Sequence, residues 1–144
     1  MGVLLRGPHH AVVSRIHRGL VERGFHDLHP AHLTVFQNID AEGSRTTQLA
    51  AKAQMTKQSM GYLVDYLEEY GYVRREPDPL DGRAKLVRMT ERGWAVMDAA
   101  FAIVDELEAE WAAELGEERF QQLREALGEL YEIVERSEMQ GKFR

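Results

Sequence analysis

Residues 72–90, YVRREPDPLDGRAKLVRMT, alternate in side-chain character on either side of a turn-rich centre. Tyr72-Val73-Arg74-Arg75 leads in and Leu86-Val87-Arg88-Met89 leads out, each with the period of two that marks a strand. The centre holds Pro77, Asp78, Pro79, Asp81 and Gly82. Proline fixes φ and Asp-Gly favours a tight reversal, so the stretch predicts a projecting β-hairpin that turns at Asp81-Gly82. Arg83 falls at its tip and Lys85 on its descending edge. A projecting hairpin that carries guanidinium groups suits phosphates or the negative slot of a DNA minor groove.

The residues before it, TTQLAAKAQMTKQSMGYLVDYL from Thr46 to Leu67, have the pattern of a helix-turn-helix. Leu49, Ala50 and Ala53 form one inner face, Ala53-Gln54-Met55 breaks the period, and Thr56 is placed to cap a second helix by accepting from a backbone N–H near Ser59. Met60, Leu63, Val64 and Leu67 recur at i, i+3, i+4 and i+7 and must face the core. The opposite face carries Lys57, Gln58, Ser59, Gly61, Tyr62 and Asp65. Short or hydrogen-bonding groups at the N-terminal end of such a helix are the kind that reach base edges in a major groove. Lys57, Gln58, Ser59 and Tyr62 are therefore expected to make base contacts, Gly61 to permit close approach, and Thr46 and Thr56 to reach phosphates. Arg83 is the expected wing reader, with Lys85 and Arg88 assisting on the DNA backbone. Helix, turn, helix, strand, basic loop and strand, in that order, describe a winged helix-turn-helix.

The run LVDYLEEYGYVRREPDPLDGRAKLVRMTERG, residues 63–93, resembles the signature of the MarR family of bacterial transcriptional regulators, in which an Asp-x-Arg wing precedes a strand and a Thr-initiated helix. The matching residues are Asp81, Arg83, Val87, Met89 and Thr90, and the likeness in length and helix order extends over almost the whole chain. The resemblance implies a homodimer in which Arg83 enters the minor groove and Asp81 braces the wing through Arg75 or another nearby arginine. It also implies a small effector, often aromatic or anionic, bound between the dimer helices and the reader lobe; His9, His17, His32, Phe36 and Trp94 are the candidate lining groups. The family often has a polar or basic residue where Gly61 and Tyr62 stand, and commonly leucine where Met89 stands.

Charge is distributed unevenly along the 144 residues, whose net charge is −6. Residues 1–44 hold four Lys and Arg against four Asp and Glu, residues 45–92 nine against seven, and residues 93–144 five against thirteen. The reader segment is thus weakly basic and the acidic excess lies in the last third, so DNA is expected to meet Lys52, Lys57, Arg83, Lys85 and Arg88. With 44% hydrophobic residues the chain can bury a core. No window approaches about eighteen apolar residues, there is no charged-then-apolar leader, and no membrane partner is expected. The absence of cysteine excludes disulfides, thiolate metal sites and thiol redox sensing. A cytoplasmic location is the default expectation.

Beyond Thr90, the positions Trp94, Met97, Phe101, Val104, Trp111 and Leu115 form a heptad-like seam interrupted at Glu108. After a break at Gly116, Phe120, Leu123, Leu127, Leu130 and Val134 repeat the rhythm. An N-terminal helix is expected to start near Pro8 and to present Val12, Val13, Ile16 and Leu20. Gly24 to His29 reads as a loop, Pro30 as the start of a short helix with Leu33, Val35, Phe36 and Ile39 apolar, and Asp40–Arg45 as a linker turning at Gly43. Three long stripes with little chain left to cover them favour a symmetric dimer reading a pseudo-palindromic site in double-stranded DNA. The predicted class is mainly α with a small β-hairpin wing (α+β). Residues 1–29 would form a dimerisation helix and loop, 30–92 the winged helix-turn-helix lobe, and 93–144 the C-terminal dimerisation helices, one intertwined domain per protomer.

Other chemistries find little support. There is no Gly-rich phosphate loop, nucleophile elbow or HExxH pair, so no catalytic residue and no cofactor is implied. Glu68-Glu69 and Glu117-Glu118 are adjacent in sequence and point to different sides of a helix. His26, His29 and His32, with Asp27, suggest a metal-responsive alternative, and His9, His10 and His17 lie on the first helix. A spacing of three across a loop containing Pro30 does not bring three rings to one face, and no metal site is expected. A winged helix that binds protein instead of DNA is the remaining alternative.

Overall fold

In the computed structural model, which describes residues 1–141, the first helix runs straight through Pro8: α1 spans Gly2–Glu22. The expected start near Pro8 is therefore corrected. A proline inside a helix removes one N–H and crowds the residue before it, and here that residue is Gly7, whose missing Cβ relieves the crowding. Ile16, Gly19 and Leu20 form the buried stripe of α1. A Cβ on Gly19 would lie 2.6 Å from the Ile103 side chain, so this glycine sets how closely two helices approach.

α2 (Pro30–Asn38) begins with proline at its first position and buries Leu33, Val35 and Phe36. A linker turning at Gly43 (φ 103°) leads to α3 (Thr46–Ala53), and α4 (Lys57–Glu69) follows. Met60, Val64 and Leu67 of α4 are buried, with Leu63 partly buried against the same core. Gly71 (φ 79°) ends that helix, and the chain enters β1 (Val73–Asp78) and β2 (Asp81–Met89), an antiparallel pair running from Val73 opposite Met89 to Asp78 opposite Asp81. α5 (Glu91–Leu115) is capped by Thr90, whose Oγ1 accepts from Gly93 N–H at 3.2 Å. Gly116 (φ 92°) separates it from α6 (Glu117–Gly141). The chain divides into two compact units, Met1–Val104 and Asp105–Arg144, with the boundary inside α5. The last three residues of the region assigned above as 93–144 lie outside the described residues.

Two details of the hairpin differ from expectation. The reversal falls at Pro79-Leu80, and Asp81 and Gly82 already belong to β2, with no positive φ at Gly82. The cause is an Asx turn: Asp78 Oδ1 accepts the Leu80 N–H at 2.9 Å while Pro79 presets its own φ. The ladder then shifts between Pro77 and Asp78, so Gly82, Arg83 and Ala84 bulge between the paired positions Asp81 and Lys85. In addition Ser44 exchanges both backbone hydrogen bonds with Val87, at 3.0 and 2.8 Å, and lies along the other side of β2.

The seam predicted on α5 is divided: Met97 and Val104 pack partly buried against the core, Trp111 is half-buried, and Trp94, Phe101 and Leu115 are exposed, Phe101 by 62%. A neighbouring face supplies the buried residues Val96, Ile103 and Leu107. On α6 Phe120 is buried, while Leu123, Leu127, Leu130 and Val134 are exposed. No helix among the described residues is long and apolar enough to cross a membrane.

At the start of α5 a Cβ on Gly93 would lie 2.3 Å from the Tyr72 carbonyl oxygen, which also accepts the Thr90 N–H at 3.1 Å. Gly93→Ala must push these backbones apart, and a loss of about 3 kcal/mol of unfolding free energy is expected, measured as a lower urea midpoint.

Candidate nucleic-acid interface

The turn between α3 and α4 is tight because Gln54 adopts a left-handed conformation (φ 55°) and Met55 N–H returns to Ala50 O at 2.9 Å. Thr56 then caps α4: its Oγ1 accepts the Ser59 N–H at 3.1 Å and donates to Ser59 Oγ at 2.9 Å. Thr56, Lys57, Gln58 and Ser59 are all exposed, so the N-terminal end of α4 offers an unbroken polar surface. Tyr62, one turn later, is 66% exposed, with its hydroxyl accepting from Gln58 Nε2 at 3.2 Å. A Cβ on Gly61 would meet nothing within 4 Å, so packing within the protein does not require this glycine. Thr46 is half-buried at the first position of α3.

Three sets of ion pairs hold the wing. Arg75 Nη2 meets Asp65 Oδ1 at 2.7 Å and its Nη1 meets Glu68 Oε1 at 3.0 Å, while its backbone N–H donates to Glu68 Oε2 at 2.9 Å. This ties β1 to α4. Arg75 thus serves α4, and the expected pairing with Asp81 is replaced; the Asp81 carboxylate instead accepts the Arg83 N–H at 3.1 Å. Arg45, at the cap of α3, grips the buried Asp78 carboxylate through Nε at 2.9 Å and Nη2 at 2.7 Å. Hydrogen bonds from Leu80 N–H and from Arg45 hold the Asp78 carboxyl below its ordinary value. Glu76 bridges Arg74, at 3.2 Å, and Arg88 across the hairpin.

These pairs sort the cations expected to face DNA. Lys52 sits 3.2 Å from Asp40, and Arg88 is held by Glu76. Lys57, Arg83 and Lys85 are exposed and form no ion pair among the described residues. They are the charges left available to a polyanion.

A family model described as the MarR family matches residues 26–84, which run from the loop before α2 to the tip of the wing. The transcriptional regulator HosA of Escherichia coli O111:H- is 36% identical over 95 residues, covering 65% of this chain and 70% of that relative. The chain belongs to the MarR family. A crystal structure of a MarR-family transcriptional regulator from Rhodococcus sp. RHA1 superposes with a TM-score of 0.67 at 30% identity, covering 88% of each chain. CouR from Rhodococcus jostii RHA1, solved bound to p-coumaroyl-CoA, gives a TM-score of 0.67 at 31% identity over 88% of this chain and 87% of that one. As a MarR protein, this chain is a DNA-binding transcriptional regulator and not an enzyme.

Of the residues expected to line an effector site of this MarR protein, Phe36 borders an apolar cavity among the described residues. The cavity, of about 300 Å³, lies between α1, α2 and α5, walled by Ile16, Leu33, Phe36, Val96, Ala100 and Phe101 among others, with Gln37 as its polar lining residue. Trp94, His9, His17 and His32 lie outside the wall. His17 Nε2 pairs with the Leu28 carbonyl at 3.1 Å, and His9 is exposed.

His32 is buried and caps α2, its Nδ1 accepting the His29 N–H at 2.9 Å and its ring stacked on Tyr66 at 4.2 Å. Among the described residues no three His, Asp or Glu side chains converge as a metal set. The sequence placed Tyr72 only at the entry to a strand; it is fully buried and hydrogen-bonded through its hydroxyl to Asp27, with Arg92 4.1 Å above its ring and 3.2 Å from the other Asp27 oxygen. Burial raises the Asp27 carboxyl, but the Tyr72 hydrogen bond and the Arg92 charge outweigh it and leave Asp27 below its ordinary value. Burial and the same hydrogen bond push the Tyr72 hydroxyl up. No local pattern in the sequence announces this group.

Burial, together with repulsion from His29, lowers the His32 pKa below its ordinary 6.5, against the opposing pull of Asp27. The folded state therefore favours neutral His32, and its contribution is intact above pH 6.5 and lost as the pH falls towards the lowered folded value. His32→Gln keeps an acceptor for the His29 N–H but cannot take a proton. The variant should lack this part of the acid-side loss in urea midpoint, and an unchanged pH profile would remove His32 as its source.

Proposed function

We propose that this MarR protein is a homodimeric repressor that grips a pseudo-palindromic operator and releases it when a small aromatic molecule binds. One observation carries the reading: among the described residues the exposed end of α4 and the wing bear Lys57, Arg83 and Lys85 without carboxylate partners, while the cations Lys52, Arg75 and Arg88 are engaged. In this proposal Lys57, Gln58, Ser59 and Tyr62 read base edges, Thr46 and Thr56 reach phosphates, and Gly61 allows close approach. Arg83 enters the minor groove and Lys85 follows the DNA backbone. Arg88, already held by Glu76, is left out of this set.

The exposed row Leu123, Leu127, Leu130 and Val134 on α6, with Phe101 on α5 and Leu4 on α1, supports dimerisation through residues 1–29 and 93–144 around a 30–92 reader lobe. Two-fold pairing would set the recognition helices about 34 Å apart, one turn of duplex. A dimer seated on a promoter obstructs polymerase, which favours repression. The apolar cavity supports an effector whose buried part is an uncharged ring, and the CouR complex with p-coumaroyl-CoA is a precedent for an aromatic acyl ligand on this fold. A ligand that prefers a spacing other than one helical turn weakens DNA binding by its difference in affinity for the two states.

Selection from random duplex DNA should yield a palindromic consensus. On that duplex Arg83→Ala should bind roughly tenfold or more weakly, with a salt dependence shallower by about one phosphate contact. A monomer in sedimentation, or an unaltered Arg83→Ala, would overturn the reading. For the effector, indole should release the labelled duplex at concentrations where benzoate does not, because the cavity offers no cation to a carboxylate. The reverse order would place the ligand elsewhere.

A further inference from the structure

At the tip of the wing Leu80 is 95% exposed, more than any other large apolar side chain among the described residues. A single exposed leucine is ordinary, but this one stands on a built mount. Its N–H donates to Asp78 Oδ1 at 2.9 Å, and the other carboxylate oxygen is gripped by Arg45 Nε at 2.9 Å and Nη2 at 2.7 Å. Asp78 is buried, and Pro79 fixes the backbone entering the tip. The direction in which Leu80 points is thereby referenced to the cap of α3, the first helix of the reader. Arg83 is exposed in the adjoining bulge, with its own N–H fixed by Asp81.

An apolar knob on a fixed backbone, beside a guanidinium that forms no ion pair among the described residues, matches the chemistry of the minor groove. Its walls are deoxyribose C–H surfaces, its floor is negative, and apolar side chains enter it most readily at steps that unstack easily. Because the tip is already ordered, little further freedom is lost on contact. We propose that Leu80 is a minor-groove wedge that packs against the sugars of a deformable pyrimidine–purine step while Arg83 lies along the floor. It thereby selects the flanks of the operator, which the recognition helix does not touch. The proposal rests on the reading of the wing as a DNA contact.

The test uses the full chain and random duplex DNA, selected in parallel with wild type, Leu80→Ala and Leu80→Met. Binding is then measured on the selected duplex and on a copy whose flanking pyrimidine–purine steps are replaced by purine–pyrimidine steps. Wild type and Leu80→Met should prefer the deformable flank by about tenfold. Leu80→Ala should lose that preference while keeping the half-site consensus and the salt slope. An undiminished flank preference in Leu80→Ala, or none in wild type, overturns the wedge while leaving DNA reading intact. Uniform loss of half-site and flank in Leu80→Ala also overturns it, since the residue would then shape the whole tip. Failure of wild type to enrich any duplex overturns the wedge and the DNA reading together.

Discussion

Tyr72 sits where the reader helix, both strands, the loop before α2 and α5 come together. Its N–H closes the end of α4 on the Leu67 carbonyl at 2.8 Å, its own carbonyl takes the Thr90 N–H at 3.1 Å, and its hydroxyl donates to Asp27. Arg92 covers the ring, Phe36 meets it edge-on, and Gly93 is a glycine because the Tyr72 carbonyl leaves no room for a methyl group. A buried phenol with its hydroxyl paired and its ring packed on every side has one comfortable position. The angle between α4 and the hairpin, and so between the two parts that would touch DNA, is inherited from that position.

Around this anchor the wing is held by charges, and holding them removes them from the surface. Arg75 offsets one of the two negative charges of Asp65 and Glu68 on α4, which would otherwise repel phosphates more strongly, and Glu76 occupies Arg74 and Arg88. Each exposed pair contributes little stability by itself. Their common effect is to sharpen a nearly balanced segment into a small positive area at Lys57, Arg83 and Lys85. A chain with a net charge of −6 needs that concentration, because bulk attraction to a polyanion is missing.

What depended on local chemistry could be read in the sequence. The Thr56 cap, the break at Gln54, the Pro30 start, the turn at Gly43 and the interruption at Gly116 all act within a few residues, and each stands where the pattern put it. The hairpin was readable as a hairpin, but its reversal moved because an Asp78 side chain outcompeted the Asp-Gly signal that begins three residues on. Partners distant in the chain left no trace: Arg45 and Asp78 are 33 residues apart, and Arg92 and Asp27 are 65 apart. The two apolar faces of α5 show why periodicity is insufficient there, since a helix rich in apolar residues does not declare which face its own core will claim.

The backbone bridge between Ser44 and Val87 makes β2 the inner strand, flanked on one side by the linker and on the other by β1. β1 is left as the open margin, and it is poorly suited to recruit another chain: Pro77 has no N–H to give, and Arg74 and Glu76 project beside it. A protein that must hold a bare ribbon out into solvent thus avoids offering a template for sheet polymerisation along that edge.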